Sequence, residues 1–88
     1  MENRIDSVRT ASGGYRICFE SPFFYGDRVA FDSINGQGEG HVADITLARD
    51  GSVYYVVEAA DGTAAYGGIY AREMRLLDRG GPESQENA

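Results

Sequence analysis

RDGSVYYVVEAADG, residues 49–62, places six strand-forming positions between two Asp-Gly pairs. Val53 to Glu58 is the run richest in β-branched and aromatic side chains, which fit a pleated, half-buried surface. Asp50-Gly51 and Asp61-Gly62 are the short turn signals that join antiparallel strands when apolar alternation flanks them. This stretch therefore predicts the clearest strand of the chain, between two hairpin turns. Tyr54 and Tyr55 then fall on opposite faces, so one of them lies outside the core or is covered by something else.

Outward from this strand the period stays close to two. Upstream, Tyr15, Ile17 and Phe19 alternate with Arg16, Cys18 and Glu20, and Ser21-Pro22 ends that strand. A Gly26-Asp27 turn leads into Arg28 to Phe31. His41 to Leu47 alternates imperfectly, with Val42 on the opposite parity from Ile45 and Leu47, which a bulge or strong bend would reconcile. Downstream, a short strand is expected from Ala64 to Tyr70, then one 3₁₀ turn over residues 70–73 and a final strand from Met74 to Leu77.

Five or six short strands, frequent turns and no long helix predict an all-β chain, a small antiparallel barrel. Residues 1–13 and 79–88 are polar and Gly-rich at the domain edge and are expected as a flexible N-terminal segment and a disordered C-terminal tail around a barrel domain at 14–78.

INGQGEGH, residues 34–41, carries three glycines in five positions. A phosphate cradle needs converging backbone N–H groups and usually opens a helix. Here Glu39 opposes an anion, His41 stands where a third fingerprint glycine belongs, and a strand follows. The stretch reads as a hairpin in which Asn35-Gly36 supplies positive φ for a primed turn and Gly38 and Gly40 permit a bend.

The chain has 88 residues, enough for one domain and no two-domain cleft. Its net charge of −6 repels a phosphate backbone and an anionic membrane surface, which argues against nucleic-acid and membrane partners. All eight basic residues are arginine. One cysteine, Cys18, permits no internal disulfide and reads as a small buried hydrophobe in a reducing cytoplasm. The opening residues hold no apolar leader, and no run reaches the length of a membrane span. His41, the one histidine, has Glu39 and Asp44 nearby, but an alternating strand spreads them; it reads as a surface residue, and no metal or cofactor is expected. No serine lies in a nucleophile motif, and no catalytic set emerges.

Six tyrosines are the feature left over. Tyrosine joins apolar area to a polar tip and is enriched where proteins bind. Tyr54, Tyr66, Gly67, Gly68, Ile69 and Tyr70 form the candidate binding set, since the two glycines let a ligand or another backbone approach.

Tyr25-Gly26-Asp27-Arg28-Val29, Gly38-Glu39-Gly40-His41-Val42, Tyr55-Val56-Val57-Glu58, Asp61-Gly62, Ile69-Tyr70 and Leu76-Leu77 resemble the small Src-homology-3-like barrels over residues 17–77. More narrowly the chain is similar to the plasmid-borne type II dihydrofolate reductases. The resemblance implies four barrels around one pore that takes nicotinamide cofactor and dihydrofolate together. Ile69 and Tyr70 stand at the last two places of that family's Val-Gln-Ile-Tyr pore segment; Gly67 and Gly68 occupy the first two, so the ligand-holding glutamine has no counterpart.

The expected function is a non-catalytic module that binds a protein partner or assembles with itself. The rival is a diverged reductase-like oligomer binding a small molecule in a shared pore, and a third reading is an acidic mimic of nucleic-acid phosphates.

Overall fold

The computed structural model describes residues 5–80, in which every regular element but one is a strand. In chain order these are β1 (Ile5–Arg9), β2 (Tyr15–Phe19), β3 (Arg28–Ser33), β4 (Gly36–Leu47), β5 (Val53–Ala59), β6 (Ala65–Tyr70), a 3₁₀ turn (Ala71–Glu73) and β7 (Met74–Asp78). All pairings are antiparallel, in a two-stranded sheet β1-β2 and a five-stranded sheet ordered β6-β5-β4-β3-β7. The all-β class and the late 3₁₀ turn are as the sequence predicts. No described helix is long and apolar enough to cross a membrane.

The expected bulge is present. Val42 pairs with Val57 and Asp44 with Val56, so Ala43 is the extra residue, and Val42, Ile45 and Leu47 all turn inward. Their inner face meets Val29 and Phe31 of β3, Val53, Tyr55 and Val57 of β5, Ile69 of β6, and Phe23 from the loop before β3. The long β4 bends enough to bring β6 over β3, its neighbour three strands away, and the Phe31 and Tyr66 rings meet at 5.2 Å.

The sheet curls but does not close into a barrel. The 3₁₀ turn carries the chain from β6 straight to β7, held by the Glu73 carboxylate accepting the Tyr70 N–H at 2.9 Å, and these two edge strands are not paired. The hairpin at 33–36 also differs from expectation. Ser33 pairs with Gly36, the turn residues are Ile34 and Asn35, and neither has positive φ; only Gly36 does, at 145°. Ser33 Oγ accepts the Asn35 N–H at 3.0 Å and donates to the Gly36 carbonyl, which stabilises this turn over the primed one.

Residues 5–9, outside the domain boundary drawn on sequence, form β1 and pair with β2. Residues 79–80 also take part in the fold. Asp27, fully buried, accepts hydrogen bonds from the Phe24 N–H at 2.8 Å, the Gly80 N–H at 3.2 Å and Arg79 Nη1 at 2.7 Å. Arg79 Nη1 also donates to the Pro22 carbonyl. The chain end after β7 is thus tied to the loop that precedes β3. The rest of both expected flexible ends, 1–4 and 81–88, lies outside the described residues.

Two turn aspartates link the hairpins to pH. The Ser52 N–H and hydroxyl hold Asp50 below the usual carboxylate range, and the Thr63 hydroxyl and N–H do the same for Asp61. A folded pKa below the unfolded value, about 3.9, adds stability above that pH and loses it as pH falls through the folded value. Asp61→Ala should therefore destabilise the protein at neutral pH and converge on the wild type in acid, read from urea midpoints across a pH series. A deficit that stays constant with pH would refute this account.

Candidate functional site

Tyr54, the second residue of β5, pairs with Tyr70 at the end of β6. Both point to the outer face, because their neighbours Tyr55 and Ile69 are fully buried on the inner one. The two rings lie 4.9 Å apart at 48°, and the Arg72 guanidinium, one turn onward, sits 4.3 Å above the Tyr70 ring. The result is a Tyr-Tyr-Arg cluster built on the β5-β6 pair and the 3₁₀ turn that follows it. Beside it an open groove of about 420 Å³ runs between β3 and the 3₁₀ turn, lined by Ala30, Asp32, Arg72, Glu73 and Arg75 among others.

The six candidate residues do not form one site. Tyr54 and Tyr70 come together; Ile69 is buried in the core and Tyr66 packs half-buried against it. The cause is a register shift between Tyr55 and Val57, opposite Gly67-Gly68, which puts an extra residue into β6. Gly68 adopts φ +67°, the left-handed region such a bulge uses, and Tyr66 and Ile69, three apart, both turn inward. Asn35 Nδ2 closes on the Gly67 carbonyl at 2.9 Å, so the glycine pair receives the tip of the β3-β4 hairpin. Ile69 has no exposed surface for a ligand to touch.

Sequence reasoning missed Arg72. Its signal is its position two residues past Tyr70, at the start of a 3₁₀ turn that doubles back. Cys18, expected inside, is exposed on β2, in a hairpin whose residues are exposed throughout except Phe19 at its root. His41 is exposed as expected, and among the described residues no group of three His, Cys, Asp or Glu side chains is placed to hold a metal ion.

Hydrogen bonding with Tyr54 is the main reason the Tyr70 hydroxyl is held above its usual pKa; partial desolvation adds to this and Arg72 opposes it. Burial pushes Tyr55 up as well, against its hydrogen bond with Ser21 Oγ at 2.5 Å. Raised folded values mean stability present below about pH 10 and lost as pH rises through them. In an ultraviolet titration two tyrosines should ionise late. Tyr55→Phe should remove one, and Tyr54→Phe should bring the other back toward the ordinary value. Unchanged titration in Tyr54→Phe would break the assigned pair.

Compared with known protein families, curated proteins and solved structures, the chain finds no match.

Proposed function

We propose that the chain is a non-catalytic binding and assembly module that acts through protein–protein contact or self-association. The observation that carries this reading is the Tyr54-Tyr70-Arg72 cluster on the outer face of the sheet. Tyrosine and arginine supply much of the energy of protein interfaces: tyrosine desolvates a large planar area with few rotatable bonds, and arginine presents a planar, permanently charged fork of donors. The β5-β6 pair holds the two tyrosines in place, so little ordering cost for them falls due on binding. The adjoining groove mixes Asp32, Glu73, Arg72 and Arg75, a charge pattern suited to the polar rim of a contact. A reducing cytoplasm is the setting in which exposed Cys18 stays a thiol.

The test is solution mass across a concentration series, together with partner capture from the native host, for the wild type and for Tyr54→Ala, Tyr70→Ala and Arg72→Ala. Association should be lost in the variants while the thermal midpoint stays close to that of the wild type. Variants that all associate like the wild type would sink the reading.

A further inference from the structure

The β1-β2 hairpin is an arm with no core of its own. Its register puts Ile5 opposite Phe19, Ser7 opposite Ile17 and Arg9 opposite Tyr15 on one face, with Asp6, Val8, Arg16 and Cys18 on the other. On the first face Tyr15 is 63% exposed, Ile17 57% and Ile5 38%; Phe19, at the root, packs against the main core. A lone two-stranded ribbon is marginal in water, and a contiguous bare apolar face is where association begins.

Charge indicates the occupant. Residues 5–19 hold two arginines, Arg9 and Arg16, against one acid, Asp6, whereas residues 20–80 hold ten acids against five arginines. A basic arm on an acidic body is complementary to a second copy of the same chain. The outer face of the large sheet offers the matching surface. Tyr54, Val56 and Tyr70 stand there half-buried, while Asp44, paired with Val56, and Glu58, two residues along β5, are exposed beside them.

We propose that the arm of one copy lies across the Tyr54-Tyr70 face of a second copy and receives that copy's arm in return, forming a two-fold dimer. This rests on the assembly reading above and names its partner. Ile17 and Tyr15 cover Tyr54, Val56 and Tyr70, and Arg9, already 5.3 Å from the Tyr15 ring, comes to Asp44 and Glu58. A reciprocal exchange satisfies both arms and closes the assembly at two, where a one-way contact would run on into a chain of copies.

The experiment uses the full chain in sedimentation velocity from micromolar to millimolar concentration. It compares wild type, Ile17→Asp on the arm, Tyr54→Ala on the face, and an equimolar mixture of the two variants. The wild type should be a dimer. Each variant alone should dissociate roughly thirtyfold or more readily, the size of an interface hot spot. The mixture should regain a dimer, because an intact arm from one variant still meets an intact face on the other. Glu58→Arg, at an exposed position, replaces Tyr54→Ala should that variant lose its cooperative thermal transition.

A monomeric wild type overturns the proposal, as does a mixture no heavier than its parts. A dimer that survives Ile17→Asp but not Tyr54→Ala also overturns it, while leaving assembly through the tyrosine face standing. A dimer that survives both removes the arm proposal and the face reading together.

Discussion

Asp27→Ala should cost about 2–4 kcal/mol, the order expected when two backbone donors lose a fully buried acceptor; its ion-pair partner Arg79 is solvent-exposed and adds little. The carboxylate is fully buried and gathers the Phe24 N–H, the Gly80 N–H and the Arg79 guanidinium, so the substitution strands two backbone donors and releases the chain end. Domains of this size are stable by only about 5–10 kcal/mol, so the variant should lie near its unfolding threshold, with a melting temperature lower by on the order of 20 °C. Truncation after Asp78 removes two of the three donors and should lose a large part of the same stability. Thermal and urea unfolding of both variants decide the matter. A loss below about 1 kcal/mol in Asp27→Ala would show that the clasp is a surface ion pair in its energetics.

Gly40→Ala should be comparably damaging for a different reason. Gly40 pairs with Ala59, and a Cβ there would overlap the Glu58 carbonyl oxygen and come within 2.8 Å of its carbon and 2.9 Å of Val57 Cγ1. The obstacle is the backbone of a hydrogen-bonded strand, which can yield only by separating β4 from β5. Overpacking usually costs about 1–3 kcal/mol, and an unyielding backbone places this case at the upper end or beyond. Gly67→Ala is the control. A Cβ at Gly67 would make only an ordinary 3.8 Å contact with Val56, so it should change stability by less than about 0.5 kcal/mol. Urea midpoints of the pair test the argument; equal losses would mean that close approach is not what selects glycine at position 40.

The same two positions show where local reading stops. The three glycines at 36, 38 and 40 are legible as punctuation in a hairpin, but the reason for Gly40 is the backbone of Glu58, eighteen residues on. Asp27 reads locally as half of a Gly-Asp turn; it is buried because Arg79 and Gly80 return to it from 52 and 53 residues away. Arg72 joins Tyr70 only because the 3₁₀ turn folds it back over the ring.

By itself the sequence determined the all-β class, the strand at Val53–Glu58, the bulge within β4, the 3₁₀ turn before β7 and the opposite facing of Tyr54 and Tyr55. These follow from side-chain alternation, turn residues and β-propensity, which act between residues a few positions apart. Only the tertiary structure decided that Tyr66 and Ile69 turn inward while Tyr54 and Tyr70 meet outside, that Cys18 is exposed, that the sheet curls without closing, and that Asp27 is the buried anchor of the chain end. Each depends on which distant segment comes to cover a given face, and burial of that kind is set by the packing of the whole chain rather than by the period of any one strand.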